Sequence, residues 1–403
     1  MSRTSRLVAG FWVVAVAFAT MMAFTTVPTP LYGLYEERDG FATWMVTVIF
    51  SIYAVGVMLS LYLAGHVSDW LGRRRLVVVS AGLLAAAAVL FLLLPQTGGL
   101  LAARFVSGLG IGTLTATATA FLADLRQAAD RSAGLATTIA GVANLGGLSL
   151  GPLVGGVLAE WAPRPLVLPF AVFLGVIVAG GAAVLLVPET VTPPRHKVAW
   201  HPQRITVPAS ERSAYWAAGI AAFASFAITG FFGSVAPTFL RTSVGTADVL
   251  VAGVTSFSVF AAAAVAQVLF AGWPMRRQLL VGVGAVVVGM AVFAVGDLLP
   301  QLALFLVGGI VSGAGVGLVF RGSLATAGGL ADEPSQRGQV LAGIFVIAYA
   351  GLTIPVVIVG VVSTWVSLTA VSVTFAALIA VLVAAAAPVM LRNIADGRAA
   401  EAS

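Results

Sequence analysis

Charged residues, histidine and cysteine are all scarce in this sequence. Asp, Glu, Lys and Arg make up 9% of the 403 residues, whereas soluble domains use about 25%. The absence of cysteine excludes thiol catalysis, iron–sulfur clusters and disulfides. So few fixed charges also argue against a nucleic-acid-binding surface, although the pI is near 10.3. We therefore expect no nucleic-acid partner, no cofactor and no metal site.

Apolar residues are in large excess instead. They make up 60% of the chain and the mean hydropathy is +1.05, more than one buried core can hold, so lipid must solvate many of them. Their runs do not alternate with polar residues, which favours helices over a membrane barrel. Twelve runs are long enough to cross a bilayer, at about 20 residues each. They lie at 7–32, 44–66, 76–94, 100–122, 134–158, 166–187, 214–240, 247–271, 278–296, 301–320, 339–362 and 366–391.

Basic residues predict the orientation of these spans. If both termini are cytoplasmic, Arg38, Arg164 and Arg241 lie outside, Arg104 lies within a span, and the other 17 Lys and Arg lie inside. This asymmetry follows the positive-inside rule. It predicts a multi-pass protein of the inner (plasma) membrane with cytoplasmic termini. It also explains the high pI without a polyanionic partner, because basic loops meet anionic lipid.

The chain divides into two similar halves. Residues 188–213 are rich in proline and basic residues and interrupt the spans, which predicts a cytoplasmic linker between domains at 1–187 and 214–403. LLPQ at 93–96 recurs at 298–301, and the same shift of 205 carries Ser107-Gly108 onto Ser312-Gly313. Six spans per repeat make the repeats parallel. The predicted fold is an all-α membrane protein with twelve transmembrane helices in two parallel, pseudo-symmetric six-helix bundles.

The loop after the second span carries a recognisable motif. It reads GHVSDWLGRRRL and resembles the cytoplasmic signature of the major facilitator superfamily, except that Trp70 replaces a basic residue. The resemblance implies a secondary transporter that works by alternating access, in which this loop helps to close the cytoplasmic face. It assigns gating roles to Gly65, Asp69, Gly72 and Arg73. The alternative is that the arginines of this loop only determine the membrane topology.

The fourth span contains an arginine inside a glycine-rich segment. RFVSGLGIG, beginning at Arg104, resembles the fourth-helix motif of proton-coupled family members. A charge within a span is costly, so we expect Arg104 to face the bundle interior or water, although snorkelling to the interface is an alternative. All acidic residues fall in loops or at span ends. Our hypothesis is that Glu36 or Asp39 forms a proton-coupling pair with Arg104.

The fifth span contains GLSLGPLVGG, which is similar to the antiporter signature of drug-efflux branches. Its glycines recur every four residues and predict a flat stripe where another helix approaches closely. Pro152 removes a backbone donor, frees the Leu148 carbonyl and predicts a kink or swivel. Generic small-residue packing is the alternative. The motif residues are Gly147, Gly151, Pro152, Gly155 and Gly156.

A carrier needs a substrate site near the middle of the bilayer, built from the few polar and aromatic residues available. The candidates are Thr25, Thr26, Tyr53, Asn144, Phe231 and Tyr349. The scarcity of charge argues against sugar phosphates, nucleotides or dicarboxylates, whose charges would need partners out of water. A moderately hydrophobic small molecule fits better.

Several function classes remain in competition. No nucleophile, acid pair or metal cluster lies at membrane depth, so we expect no enzyme, and the repeat favours a rocking carrier over a channel. We expect proton-coupled efflux of small, moderately hydrophobic compounds (a drug, multidrug or metabolite exporter). The alternative is a proton-coupled symporter that imports a sugar, organic acid or other nutrient. The expected partners are a small-molecule substrate, the proton and the lipid bilayer, with the protein acting as a monomer.

Overall fold

The computed structural model describes residues 3–64, 67–130, 134–161, 163–191, 202–203, 211–241, 245, 248–331 and 337–401. Within these ranges the chain forms helices and no strand. Twelve of the helical segments are long and apolar enough to cross a membrane, as predicted. Side chains that face away from other helices are often large and apolar, such as Leu186, Val178 and Leu269. The chain is therefore a multi-pass helical membrane protein.

In the first half, nine α-helices are formed by the described residues. Two segments of other helix types occur between them: a 3₁₀ turn at Thr29–Leu31 and a π-helical segment at Val142–Gly146. The helices are α1 (Arg3–Thr26), α2 (Tyr32–Asp39), α3 (Thr43–Ala64), α4 (Ser68–Leu71), α5 (Arg73–Leu93), α6 (Thr97–Ala128), α7 (Gly134–Gly141), α8 (Gly147–Trp161) and α9 (Leu168–Leu185).

The second half contains seven α-helices. They are α10 (Arg212–Ser234), α11 (Ala236–Phe239), α12 (Val249–Leu269), α13 (Met275–Leu298), α14 (Leu302–Gly329), α15 (Arg337–Val362) and α16 (Leu368–Glu401).

Proline ends the first helix of each half where the sequence predicts a bend. Pro28 and Pro30 follow α1 directly, and the chain continues through the 3₁₀ turn into α2. In the second half α10 ends at Ser234 and the short α11 contains Pro237. Proline lacks a backbone N–H and clashes with the preceding turn, so carbonyls near the end of each long helix need hydrogen-bond donors from outside that helix.

The chain forms two compact units. The first unit comprises Met1–Gly40 and Ile52–Gln203, and the second comprises Phe41–Ser51 and Arg204–Ser403. Helix α3 is thus counted with the second unit in its first part and with the first unit from Ile52 onwards. The domain bounds at 1–187, 188–213 and 214–403 stay a prediction.

The two units repeat one packing pattern. In the first unit α1 packs against α6, α8 and α9, and α5 packs against α6 and α9. In the second unit α10 packs against α14, α15 and α16, and α13 packs against α14 and α16. The pattern maps α1 onto α10, α5 onto α13, α6 onto α14, α8 onto α15 and α9 onto α16. The pairing is that expected from the sequence repeat.

Candidate functional site

Arg104 lies in α6 and is buried, with 2% of its surface exposed. Its Nη1 donates a hydrogen bond to the Thr25 carbonyl oxygen at 2.6 Å, and its guanidinium lies over the Tyr53 ring, 4.6 Å from the centroid. Thr25 is the second-last residue of α1, where carbonyls lack helical partners and the helix dipole favours a cation. Arg104 faces the interior of the first unit, as expected, and does not snorkel.

Glycine contacts between α3 and α6 place Tyr53 beside Arg104. A Cβ on Gly108 would overlap the Tyr53 carbonyl oxygen, and one on Gly56 would overlap the Phe105 carbonyl oxygen. The two helix backbones therefore touch about one turn from Arg104. This close approach brings the Tyr53 ring within cation–π distance of the guanidinium.

The glycine stripe of α8 packs directly on α1. A Cβ on Gly147 would lie 2.5 Å from the Ala19 carbonyl oxygen, and one on Gly155 would lie 2.7 Å from the Val27 carbonyl oxygen. A Cβ on Gly151, between them, would overlap the Thr26 hydroxyl. The approaching helix predicted from the sequence is therefore α1, and Gly156 is buried nearby in α8.

Pro152 creates a polar contact between the same two helices. The Leu148 carbonyl, four residues before the proline, lacks the N–H that would normally bond to it. The Thr26 hydroxyl donates to this carbonyl at 2.9 Å and also lies 3.1 Å from the Ala23 carbonyl. The carbonyl predicted to be free is therefore satisfied from α1, at the residue where α1 ends.

The candidate substrate residues occupy different environments. The Thr25 hydroxyl donates to the Met22 carbonyl at 2.8 Å. Asn144 is half-buried in the π-helical segment before α8, a geometry that is common at functional sites. Tyr349 in α15 is also half-buried and contacts the Phe226 ring edge-to-face at 5.2 Å.

Phe231 lies in the core of the second unit. It is 0% exposed, stacks on Phe375 at 4.8 Å between centroids, and meets Phe232 and Phe293 edge-to-face. This aromatic packing favours a role in stability over contact with a substrate. The π-helical turn and the burial of Phe231 are not visible in the sequence, because both depend on neighbouring helices.

The predicted gating residues lie near the start of α5. Gly65 lies outside the described residues. Asp69 belongs to the short α4, but its side chain is also outside the described part of the chain. Gly72 has φ +105°, which an L side chain rarely adopts. The Arg73 Nε pairs with Asp124 Oδ2 at 3.2 Å, so the first turn of α5 is tied to the last turns of α6.

Glu189 completes this network and was missed by the sequence reasoning. Its Oε1 accepts from the Arg73 backbone N–H at 3.0 Å, and its Oε2 accepts from that of Arg74 at 3.2 Å. A Cβ on Gly72 would lie 2.6 Å from the Glu189 carboxylate. Glu189 thus caps α5 from the chain that follows α9. The sequence does show an acid directly after the sixth span. An even number of crossings puts this acid on the same side of the membrane as the basic loop after the second span.

The acids proposed for coupling lie in α2, which follows the break in the first span. Asp39 binds Arg38, with Arg38 Nε 2.6 Å from Asp39 Oδ1. Arg38 also donates to the Pro95 carbonyl at 2.5 Å, before α6 begins. Glu36 is half-buried one turn earlier. The pairing of either acid with Arg104 stays a prediction.

Asp297 is a buried acid that the sequence analysis passed over. It occupies the last turn of α13, at a span end as expected, yet it is only 1% exposed. Its burial comes from α16, whose Thr369 hydroxyl donates to Asp297 Oδ1 at 3.2 Å.

Twelve spans, two repeated units and a buried arginine at a helix break define a membrane transporter. The chain belongs to the Major Facilitator Superfamily, whose family profile matches residues 10–300. It is similar to the bacillibactin exporter of Bacillus subtilis, with 26% identity over 137 residues, 33% of this chain and 34% of that protein. It is also similar to the MFS efflux transporter aclA of Aspergillus oryzae, with 29% identity over 159 residues, 38% of this chain and 28% of that protein.

The matched segments span about a third or less of these relatives. Among solved structures, the peptide transporter POT matches with a TM-score of 0.77 and 15% identity, over 95% of each chain. At this identity the likeness shows the shared fold alone.

Proposed function

We propose that this transporter exports small, moderately hydrophobic compounds in exchange for protons. The observation that carries the proposal is the α1–α8 contact, in which three glycines bring the backbones together and Thr26 satisfies the carbonyl that Pro152 leaves free. Small residues at such a contact let the two backbones approach closely, and α1 and α8 are the helices that would move against each other during transport. The efflux names of two partial relatives are consistent with this direction.

Arg104 is the proposed centre of proton coupling in the first unit. Its charge is stabilised by the Thr25 carbonyl, next to the end of α1, and by the Tyr53 ring on α3. Glu36 or Asp39 would exchange the proton in response to Arg104, through α2. Movement of α1 against α8 would then change the environment of the cation and of these acids together.

The gate is proposed at the α4–α5 loop, on the cytoplasmic side if both termini are cytoplasmic in the inner membrane. Asp69 and Arg73 carry the family resemblance there. The Arg73–Asp124 ion pair and the Glu189 cap fix the start of α5 within the first unit. The two proposed domains, 1–187 and 214–403, would move as bodies joined by residues 188–213.

The proposed substrate-binding residues are Thr26, Tyr53 and Asn144 in the first unit, and Tyr349 is a separate candidate within the second. These residues offer hydroxyl, amide and aromatic groups without a fixed anionic charge. A flat or lipophilic compound would be held by aromatic contact and a few hydrogen bonds. The transport unit would be a monomer, since each proposed element lies within one chain.

Transport in proteoliposomes tests the direction and the coupling. With an inward proton gradient and ethidium as the probe, we expect ethidium to leave the lumen by way of right-side-out protein. Ethidium that enters with the protons would show that the protein is the proton-coupled importer considered above.

The variant Asp69→Asn tests the gate. It should strongly reduce the rate of ethidium transport while the protein still inserts and folds. An unchanged transport rate would remove Asp69 from the gate.

A further inference from the structure

Asp297 stands apart from the other acids of the chain. Among the acidic side chains that the structure describes, it alone is buried, at 1% exposure. It lies between the last turn of α13 and the first turn of α16, on helices that have no part in the proposed gate or coupling site. An ionisable residue within a membrane span is costly and commonly marks a functional site.

Two hydroxyls of α16 face the carboxyl. Thr369 donates to Oδ1 at 3.2 Å. The Ser372 hydroxyl, one turn further and 0% exposed, also interacts with Asp297, but the geometry falls short of a hydrogen bond. Asp297 Oδ2 and Ser372 Oγ therefore both lack a hydrogen-bond partner among the described residues. A proton on Oδ2 would turn this oxygen from an acceptor into a donor, and the Ser372 oxygen can accept a hydrogen bond.

The helices packed on α13 carry no charged residue close to Asp297 along their length. The connecting residues 299–301 and 363–367 contain no ionisable side chain. On α13, α14 and α16 the nearest charged residues lie some 19 to 23 positions along the helix, roughly 30 Å at about 1.5 Å per residue. These residues are Arg276 and Arg277 on α13, Arg321 on α14, and Arg392 with the charged residues that follow it on α16.

Two opposing effects act on the carboxyl. Burial without a cation favours the neutral acid, because an unpaired charge in an apolar interior is costly. The first turn of α16, with its helix dipole and the Thr369 hydroxyl, favours the carboxylate. A group held between these effects can both take up and release a proton as its burial changes.

We propose that Asp297 is a reversible proton-binding site at the contact between α13 and α16, which binds a proton when the helices are packed and releases it when they part. The site belongs to the second unit and is separate from Arg104. Its use in transport rests on the proposed proton coupling, but the binding of the proton itself does not.

Infrared spectroscopy tests proton binding directly. The purified protein in lipid is titrated from acid to alkaline pH, and the carbonyl band of protonated carboxyl groups is followed. We expect one band to persist at neutral pH, where exposed acids are ionised, and to disappear at higher pH. Asp297→Asn should remove this band, whereas the control Asp248→Asn, at an exposed cap of α12, should keep it. Identical bands in the wild type and Asp297→Asn would overturn the proposal.

A second variant guards against misfolding of Asp297→Asn. Thr369→Val removes the hydroxyl donor and leaves the carboxyl, so the band should shift to higher frequency with its intensity kept. If the band remains in Asp297→Asn and does not shift in Thr369→Val, the proposal is also overturned.

Transport separates this site from the exporter proposal. Asp297→Asn should lower gradient-driven ethidium transport several-fold and leave ethidium exchange without a gradient unchanged. Normal gradient-driven transport by this variant would refute a role for Asp297 in coupling. Wild-type protein that ignores the gradient would refute the exporter proposal instead, while the infrared result would still decide whether Asp297 binds a proton.

Discussion

In each unit a backbone carbonyl near the end of the first long helix accepts a hydrogen bond from another helix, but the donor differs between the units. In the first unit the Thr25 carbonyl near the end of α1 accepts from the buried cation Arg104. In the second unit the Phe232 carbonyl near the end of α10 accepts at 3.0 Å from the Ser256 hydroxyl. A neutral hydroxyl is thus enough to satisfy a carbonyl at this helix break. The charge of Arg104 therefore needs a reason other than capping.

The position equivalent to Arg104 shows what the second unit gained instead. The sequence shift of 205 places Gly309 there, and a Cβ on Gly309 would lie 3.0 Å from the Phe232 ring and 3.1 Å from the Val259 side chain. An aromatic ring fills the space that an arginine takes in the first unit. The two units share a backbone framework, and among the described side chains a buried cation occurs only in the first unit.

We expect the largest effect from substitutions of the glycines at the helix contacts that the two units share. Gly151→Leu in the first unit and Gly351→Leu in the second both place a side chain into a helix backbone, at Ala23 and Phe223. We expect either variant to lose nearly all folded protein by size-exclusion chromatography in detergent. Gly175→Leu in α9 is the matched control, because no atom lies within 4 Å of its Cβ position. Normal yield of one glycine variant and not the other would show that the framework is not shared.

Loss of the cation should come next. Arg104→Gln keeps a donor for the Thr25 carbonyl but removes the buried positive charge together with its cation–π contact, and that contact alone is worth roughly 0.5–2 kcal/mol. We expect gradient-driven ethidium transport to fall by about tenfold or more, since ~1.4 kcal/mol corresponds to a factor of ten. Ser256→Ala, the counterpart in the second unit, should cost about 1 kcal/mol of stability and leave transport unchanged. Equal transport losses in both variants would contradict the division of roles.

Loss of the Glu189 cap should have a moderate and local effect. Glu189→Ala leaves two backbone N–H groups of α5 unpaired and should cost about 0.5–2 kcal/mol. Hydrogen exchange should accelerate in the first turn of α5. The first turn of α13 should not change, because Pro274 precedes it and no side chain caps it. Acceleration in both helices would mean that the change unfolds the protein more widely.

The smallest effect is expected at Tyr53. Tyr53→Phe keeps the ring under Arg104 and should retain most of the transport rate. Tyr53→Val removes the ring and should lower the rate several-fold, since a cation–π contact contributes roughly 0.5–2 kcal/mol. Valine is the residue at the matching contact of the second unit, where the Val259 carbonyl faces Gly313 as the Tyr53 carbonyl faces Gly108. Similar rates for the two variants would show that the ring does not stabilise the Arg104 charge.

The fold was largely predictable because the helices are defined by local composition. Runs of apolar residues locate the spans, Pro28 and Pro237 locate the breaks, and the repeat relates the halves. The glycine stripe of α8 predicted a close helix contact, since only glycine permits it. The residues alone did not show that α1 is the partner or that Thr26 bonds to Leu148.

The candidate site was less predictable because burial depends on distant neighbours. Asp297 and Glu189 follow apolar spans in the same way, yet one is buried by α16 and the other caps α5. Phe231 looks like other phenylalanines until its stacking on Phe375 is seen. Long-range packing of this kind leaves no mark at a fixed spacing in the sequence.

The cap on α5 has a mechanical consequence. Because Glu189 holds the chain after α9 to the backbone of Arg73 and Arg74, a pull on the residues directly after Glu189 would reach the first turn of α5 before it reached α9.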